Sequence, residues 1–516
     1  MLILISCLLF FVTTLALVAL RVAQPNARYA WLVAVIGAGL ALISVFLWPI
    51  QSPLEFALPA WQPVTLFTSP LLLRADGISW PLAVSIAALT LSILLTAVTI
   101  PVYVNTLTWA GILALGGFGL LAVTANNPVT LLMAWALLDF TELVSQLFSV
   151  NGSVNTEKVV VSFAARAFGI GLLTWAGALN ISSGRTFDFQ TIAANSGAFV
   201  VLAAGFRLGG LPLHLPYSSE SSLRRGFGTA IRLISSASSL AVLGRISTEG
   251  LITSYTPYLL GIALVAAIYG GWMWLRAPDE LNGRPFWVIG VSALAVASAL
   301  GGNSLGAIAW GCALVLAGGA LFLAAVQNVW VNRILLAGVW GLSSLPFSLT
   351  AVTWTGRFGL FLPLGIIAQA LILAGYIRHV LRSTGRDSLD GQPGWARAMY
   401  PAGIVLLIIL IFLFGFTGWD GALQIGAWPQ ALLASLLTGG LFWASRRFRI
   451  FTPIRAHWIS NAGSRIDNLF AALWSLYRGL GRLSQTVTVT LEGEGGIMWT
   501  LLFLVLFISL LTQGIR

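Results

Sequence analysis

The stretch FRLGGLPLHLPYSSESSLRRGFGTAIRLISSASSL (206–240) decides the fold, because it interrupts apolar runs with residues that a plain membrane span lacks. Arg207 and Arg232 flank the interruption, and an ionisable residue in the hydrocarbon region is costly, which makes it a functional-site candidate. The residues predicted to break the helix are Gly209, Gly210, Pro212 and Pro216. A broken helix is tolerated only where protein or water satisfies the freed backbone groups. The stretch therefore predicts part of an ion or solute pathway.

The composition indicates a protein embedded in a membrane. Of the 516 residues, 58% are hydrophobic and 8% are charged, whereas a soluble domain carries about 25% charged residues. Residues 1–20 have no basic region and no small-residue cleavage site, so we expect a first membrane span rather than a removed signal. Cys7 and Cys312 lie in apolar runs. We therefore expect no disulfide and no metal site, and no cofactor motif is evident.

A spanning helix needs about 20 apolar residues, and sixteen segments approach this requirement. They lie near 2–20, 30–49, 80–101, 107–125, 128–149, 158–180, 195–213, 228–247, 254–275, 286–301, 304–327, 332–352, 357–377, 400–417, 426–445 and 496–513. The chain is therefore predicted to be an all-α polytopic membrane protein with about 16 transmembrane helices. The segments 195–213 and 332–352 fit the required length least well.

Basic residues concentrate in alternate loops. Threading the sixteen spans puts 19 of the 27 basic residues on one side and five on the other, and leaves Arg166, Arg207 and Arg232 inside the membrane. This asymmetry explains the net charge of +11 without nucleic acid, and it predicts that the richer side is cytoplasmic. Both termini then lie outside a bacterial-type inner (plasma) membrane. Lys158 is the only lysine in the chain.

The chain is predicted to divide into five regions. These are N-terminal spans with an external loop (1–106), a first repeat (107–250), a second repeat (251–380), C-terminal spans with a cytoplasmic loop (381–454), and an amphipathic surface helix with a final span (455–516). Within the first region, residues 50–79 are expected to form a short hairpin on the outer surface. Residues 455–485 place apolar side chains at helical spacing between arginines, which predicts a lateral helix lying in the membrane interface. That helix is either a membrane-surface prop or a strut against a neighbouring subunit.

A second interruption, GLSSLP (341–346) with Pro346, follows five spans after the first. Paired interrupted helices in corresponding positions point to an inverted-repeat transporter with a site near the membrane midplane. Because an odd offset reverses the second copy, the spacing predicts inverted five-helix repeats with two broken helices.

Charged residues in three neighbouring spans could form a polar track. Asp139 and Arg166 are predicted at similar depth in a helical hairpin and could pair, either to fix helix packing or as a step in that track. Glu142 lies one turn from Asp139. No nearby acid is evident to neutralise both Arg207 and Arg232. The two acids and three arginines leave one positive charge, which a lipid headgroup, a partner's carboxylate or a bound anion could balance.

His214 follows the first interruption, where it could relay protons or hydrogen-bond the broken helix. Asp279 and Glu280 are expected in a solvated loop. The sequence contains no glycine-rich phosphate loop and no nucleophile with an adjacent base. No enzyme active site is therefore predicted within the chain.

Five groups of residues form a further pattern. They are Asp76-Gly77-Ile78-Ser79, Asn127 with Trp135, Arg207-Leu208-Gly209-Gly210-Leu211-Pro212-Leu213-His214, Gly228-Thr229-Ala230-Ile231-Arg232-Leu233-Ile234-Ser235, and Asp279 to Arg284. With the span count, the two interruptions and the lateral helix, they resemble a divergent member of one family. That family comprises the antiporter-like, proton-translocating membrane subunits of respiratory complex I and of Mrp-type cation/proton antiporters. The resemblance covers nearly the whole chain.

The sequence departs from the family at its ionisable positions. Ala136 stands where the family's proton path uses a glutamate, and Asp139 lies one turn later. Arg207 replaces the path lysine, and Gly318 and Trp354 align near the two later lysines. Lysine shifts its pKa readily when buried, whereas arginine stays charged. Arg207 and Arg232 are therefore expected to act as fixed charges beside titratable groups, and a degenerate ion path is predicted.

The resemblance implies a membrane subunit of a complex I-related or Mrp-related assembly that contributes to movement of protons or monovalent cations. An NADH:quinone oxidoreductase-like translocase is one such assembly. Its expected partners are other membrane subunits and the lipid bilayer. The alternative is a structural subunit without transport, which anchors a partner protein such as a carbonic-anhydrase-like protein in inorganic-carbon uptake. A membrane-embedded transferase would need a catalytic acid or metal facing one aqueous side, and the sequence offers neither.

Overall fold

The structure, a computed structural model, describes residues 1–24, 29–51, 53–58, 70–99, 106–149, 153–215, 223–251, 253–326, 329–382, 389, 393–419 and 425–448. The helices are α1 Leu2–Ala23, α2 Ala30–Phe46, α3 Ser79–Thr96, α4 Thr106–Thr124, α5 Pro128–Ser149, α6 Ser153–Ser182, α7 Ala194–Leu208, α8 Arg225–Arg245, α9 Thr248–Leu251, α10 Thr256–Arg276, α11 Glu280–Leu300, α12 Ser304–Leu323, α13 Val329–Leu342, α14 Leu362–Val380, α15 Gly394–Thr417 and α16 Trp428–Phe448. The predicted all-helical architecture is confirmed.

Fifteen of the sixteen predicted spans coincide with helices α1–α8 and α10–α16. Twelve described helices are long and apolar enough to cross a membrane, which makes the chain an integral membrane protein. Helices α7 and α13 are apolar but shorter, as expected for the two interrupted segments. The lateral helix predicted over 455–485 and the span predicted over 496–513 lie outside the described residues. The five regions and the inverted repeat stay predictions.

A short hairpin precedes α3. Strand β1 (Leu54–Ala57) pairs antiparallel with β2 (Leu72–Ala75), as the hairpin prediction requires. The carboxylate of Asp76 accepts the backbone N–H groups of Ile78 and Ser79 at 3.1 and 3.0 Å, so it satisfies free donors at the start of α3. Its second oxygen lies 3.2 Å from Nη1 of Arg245. This carboxylate therefore ties the hairpin and α3 to the end of α8.

Helices α3, α8, α11 and α12 form the centre of the bundle. Over the most apolar 18 residues of each helix, 89% of the residues are buried in α3 and 94% in each of the other three, compared with 33% in α1 and in α6. A helix that is apolar on all sides belongs inside a protein or a membrane. Helix α8 is the exception, since its buried side chains include Arg232 and several serines. It packs against α3, α4, α5, α7, α11 and α12.

The first interruption follows α7. Gly209 ends the helix in the left-handed conformation at φ 74°, which glycine adopts without steric cost. The N–H groups of Gly210 and Leu211 then donate to the carbonyl of Gly205 at 3.0 and 3.1 Å. The freed backbone groups are thus satisfied locally. Pro212 follows in an irregular segment, and Pro216 lies outside the described residues.

The second interruption follows α13 and places Pro346 in an irregular segment before a 3-10 turn at Ala351–Thr355. Ser344 has a φ of 57°, a strained conformation for a residue with a side chain. Its N–H donates to Oγ1 of Thr350 at 3.0 Å, and Nε2 of Gln369 donates to the Leu342 carbonyl at 2.9 Å. Side chains therefore replace the missing helical hydrogen bonds, as a non-aqueous environment requires.

Two glycines allow α10 and α11 to approach closely. A Cβ atom at Gly270 would lie 2.5 Å from the backbone nitrogen of Gly290, so the two backbones are in direct contact there. Small residues at a crossing let membrane helices pack backbone against backbone.

We expect Gly270→Leu to lower the melting temperature of the detergent-solubilised chain, because overpacking costs about 1–3 kcal/mol. The matched control is Gly39→Leu, since a Cβ at Gly39 meets nothing within 4 Å. Thermal unfolding followed by tryptophan fluorescence measures both. Equal melting temperatures for the two variants would show that the α10–α11 contact does not limit stability.

Candidate functional site

Two acids on α5 lie inside the bundle. Asp139 and Glu142 are three residues apart, so they share one helix face, and each is 2% exposed. Arg166 of α6 and Arg207 of α7 are buried beside them at 4% and 3% exposure. Buried charges persist only where they are paired and hydrogen-bonded, so the partners of these four groups define the site.

Arg207 pairs with Asp139 through both nitrogens of its guanidinium fork. Nη1 lies 2.5 Å from Oδ2, and Nη2 donates to Oδ1 at 2.8 Å. Nε of the same arginine donates to Oγ of Ser239 at 3.0 Å, and its Cζ lies 4.3 Å above the Trp135 ring. The two-point pairing and the cation–π contact hold the guanidinium in one orientation.

Arg166 pairs with Glu142, also through two guanidinium nitrogens. Glu142 accepts two more hydrogen bonds, from Oγ of Ser235 and from Nε2 of Gln146, each at 2.7 Å. The carboxylate therefore has four donors around it: two from Arg166 of α6, one from Ser235 of α8 and one from Gln146 of its own helix, α5. The two oxygens of a carboxylate have enough lone pairs to accept this many hydrogen bonds.

The two ion pairs touch each other. Nη1 of Arg166 lies 3.9 Å from Oδ1 of Asp139, and Nη1 of Arg207 donates to the Arg166 carbonyl at 3.4 Å. The predicted Asp139–Arg166 contact therefore exists, but each residue has a closer partner. The sequence showed no nearby acid to neutralise both Arg207 and Arg232, and the structure places Asp139 beside Arg207. Depth along a helix can be read from sequence, whereas the placement of α7 beside α5 cannot.

Helix α8 supplies the neutral part of the site. Ser235 and Ser239 are four residues apart, so each contacts one of the two pairs from the same face. Arg232 lies one turn earlier on this helix and is buried at 1% exposure. The serine-rich run SSASS (235–239) is the feature of the sequence that indicates a polar face on α8 at these contacts.

Gly169 gives Arg207 its path across α6. A Cβ at this position would lie 2.5 Å from Cγ of Arg207 and 3.1 Å from the Ala203 carbonyl. The aliphatic stem of the arginine therefore crosses directly over the glycine. Nothing in the sequence around Gly169 distinguishes it from Gly171, where a Cβ would meet no atom within 4 Å.

His214 contacts residues close to it in the sequence, in and just before the first interruption. Its Nδ1 donates to the Pro212 carbonyl at 2.7 Å, and its ring lies 4.4 Å from the Phe206 ring. These contacts match the local hydrogen-bonding role that the sequence left open. The role of the residue in a proton path stays a prediction.

Neutral groups stand at the two positions where the family resemblance places lysines, Gly318 within α12 and Trp354 after the second interruption. Nε1 of Trp354 donates to Oε1 of Gln369 at 2.8 Å, and Nε2 of Gln369 donates to Oγ of Ser344 at 2.9 Å. At Gly318, a Cβ would lie 2.4 Å from Nε1 of Trp287. Indole groups thus fill the space at both aligned positions.

The expectation that Asp279 and Glu280 lie in a solvated loop is wrong for Glu280. Asp279 caps α11 by accepting the Asn282 N–H at 2.8 Å, but Glu280 is 3% exposed. Its carboxylate lies 2.8 Å from Nη2 of Arg225 and contacts Arg382. The polar sequence APDELNGRP resembles a loop, yet arginines from two other parts of the chain neutralise and bury the glutamate.

A small cavity of about 10 Å³ adjoins the two ion pairs. Its polar lining consists of Asp139, Glu142, Gln146, Ser162 and Arg166. A cavity of roughly 10–15 Å³ holds one water molecule.

Among the described residues, no group of three or more His, Cys, Asp or Glu side chains could hold a metal ion. The prediction that the chain has no cofactor stays a prediction.

Comparison with solved structures identifies the fold. The chain is similar to one in the Mrp complex from Dietzia sp. DQ12-45-1b, with a TM-score of 0.73 and 15% identity over all of this chain and 63% of that one. It is similar to a chain of the membrane-bound sulfane sulfur reductase, an archaeal respiratory membrane complex, with a TM-score of 0.65 and 14% identity over 97% and 99% of the two chains. It is also similar to a chain of respiratory complex I from Thermus thermophilus with bound aureothin, with a TM-score of 0.61 and 16% identity over 82% and 100%.

These likenesses confirm, at the level of fold, the resemblance to antiporter-like membrane subunits. The chain spans about two thirds of the length of the Mrp chain, at 63%. No protein-family model and no curated protein matches the sequence.

We expect Asp139→Ala to destabilise the protein by about 3–5 kcal/mol, because it leaves the Arg207 charge buried without its partner. The double variant Asp139→Ala/Arg207→Ala should cost less than the sum of the single variants, with a coupling of about 0.5–3 kcal/mol. Unfolding by SDS in mixed micelles measures the cycle. Glu157→Ala, at an exposed position of α6, is the control. Additive single effects would contradict the pairing.

We expect Gly169→Ala to weaken the Arg207–Asp139 pair, because the new methyl group occupies the path of the arginine stem. The destabilisation should reach about 1–3 kcal/mol, as overpacking does. Gly171→Ala, on the same helix, should be neutral or slightly stabilising, since alanine favours helices. The same unfolding assay compares the two, and equal effects would rule out the steric role of Gly169.

Proposed function

We propose that this chain is a membrane subunit of a multi-subunit assembly of the Mrp or complex I type, and that it contributes to proton or monovalent-cation movement through a reduced ion path. The observation that carries this proposal is the buried network of Asp139, Glu142, Arg166 and Arg207 across α5, α6 and α7. Ionisable residues in membrane spans are expensive and usually mark ion or proton pathways.

Chemistry limits which of these groups can carry a proton. The arginines stay charged, so a proton can only reside on Asp139 or Glu142. Each acid is engaged by two guanidinium nitrogens, so its pair must separate before the acid can exchange a proton with another group. Nη1 of Arg166 lies 3.9 Å from Oδ1 of Asp139 while Arg166 pairs with Glu142, so in the proposed path this one arginine links the two acids.

A structural subunit without transport is the second candidate. It is favoured by the two-point pairing of both acids and by the small volume of the adjacent cavity, about 10 Å³. It is also favoured by the neutral Gln369–Trp354 network at the second interruption. Such a subunit would anchor a partner protein and use the ion pairs only to fix the packing of its helices.

Reconstitution of the intact complex into liposomes separates the two functions. We expect Asp139→Asn and Arg207→Ala to reduce proton movement per turnover, because each removes half of one pair, while the complex still assembles. Arg207→Lys keeps the positive charge and should retain assembly if Arg207→Ala does not. Glu157→Gln, on the exposed face of α6, should leave proton movement unchanged. Unaltered proton movement in both test variants would exclude the ion path and would favour the structural subunit without transport.

A further inference from the structure

A cavity of about 70 Å³ opens at the end of α8 that carries Arg224 and Arg225. Helices α3, α4, α8, α12 and α15 contribute to its lining. Much of its wall is apolar, with Ile93, Ile112 and Leu323 among the lining residues. Its polar lining includes Arg224, Trp109 and Tyr400. The cavity thus combines an apolar wall with cationic and hydrogen-bonding groups, as a site for an amphiphilic anion does.

The charges around this cavity are unbalanced. Arg225 lies 2.8 Å from Glu280 and donates to the Phe322 carbonyl at 2.8 Å, so its guanidinium is fixed in the protein. Arg382 contacts the same glutamate, and its pKa is lowered to about 10 by burial, so it remains charged at neutral pH. Among the described residues, Arg224 and Arg225 of the lining and the adjoining Arg382 stand against one carboxylate, that of Glu280, which leaves a positive excess at the cavity.

Two groups that line the cavity have capacity to bind a ligand. Arg224 is exposed and forms no ion pair with another described residue. Nε1 of Trp109 is buried and has no hydrogen-bond partner within the described ranges. An unsatisfied buried N–H costs about 1–3 kcal/mol, so a ligand acceptor at this place would be stabilising. Helix α8 also begins here without a side-chain cap, which adds backbone N–H donors and a favourable dipole for an anion.

Tyr400 shapes the cavity rather than binding in it. Its hydroxyl accepts the N–H groups of Ala325 and Val326 at 2.6 and 3.0 Å and lies 3.3 Å from the Leu323 carbonyl, to which it donates. This side chain therefore closes the end of α12 and fixes that part of the cavity wall. Tyr400 therefore leaves the Trp109 N–H without an acceptor among the described residues.

We propose that this cavity binds the phosphodiester headgroup of an anionic phospholipid, with Arg224 and Trp109 as the headgroup donors and the apolar wall against the glycerol and upper acyl region. The side of the membrane that the arginine distribution predicts to be cytoplasmic is the side where anionic lipids attract basic groups. The apolar wall distinguishes a lipid from free phosphate, which would gain nothing from it. The proposal is independent of whether the chain moves protons.

Native mass spectrometry of the full chain in detergent, titrated with phosphatidylglycerol, tests the site. We expect Arg224→Gln and Trp109→Phe each to weaken phosphatidylglycerol binding by about fivefold, through one lost cation and one lost hydrogen bond. Arg333→Gln, an exposed arginine that does not line the cavity, is the matched control and should not change binding. Trp109→Phe preserves the charge and nearly the shape of the wall, so it remains informative if Arg224→Gln lowers stability.

Two further titrations identify the ligand. Phosphatidylcholine, whose headgroup is neutral overall, should bind at least about fivefold more weakly than phosphatidylglycerol to the wild type. Inorganic phosphate should fail to displace phosphatidylglycerol, because it lacks the apolar region. Equal binding of the two lipids, equal weakening by the Arg333→Gln control, or full displacement by phosphate would each overturn the proposal.

Discussion

The structure depends on the need to neutralise charge where no water is available. Asp139 and Arg207, with Glu142 and Arg166, are each brought within hydrogen-bonding distance from different helices, so α5, α6 and α7 must occupy fixed positions before any pair can form. Removing one partner of such a pair is strongly destabilising, whereas the intact pair is close to neutral. The pairs therefore determine which helices are neighbours more than they add stability. Gly169 leaves room for the Arg207 side chain to reach Asp139.

The replacement of lysine by arginine changes what the pathway can do. A buried lysine can be neutral at physiological pH, so it can pass a proton along, whereas a guanidinium remains a cation. In the proposed ion path, the group that carries the proton is therefore an acid rather than a base. The second interruption extends the same trend, since Gln369, Ser344 and Trp354 form a hydrogen-bonded group without a titratable side chain.

Much of the fold could be predicted from the sequence, because apolar runs of the required length and glycine or proline interruptions are local signals. The interruption after α7 follows from Gly209, and the hairpin before α3 from the apolar, proline-bearing loop. The pairing of charges could not be predicted. Arg207 and Asp139 are 68 residues apart, and the choice between Arg166 and Arg207 as partner depends on helix placement. Glu280 was misassigned for the same reason, since burial by distant arginines leaves no local signal.

Each end of α8 is held by an ion pair in which α8 supplies the arginine. At one end Arg225 forms an ion pair with Glu280 of α11, and at the other end Arg245 forms an ion pair with Asp76 beside the hairpin. Sliding or rotation of α8 about its axis would break both pairs at once, so the two pairs fix its position against α11 and the hairpin. Ser235 and Ser239, which contact the acid–arginine pairs, are therefore held at a defined height in the bundle.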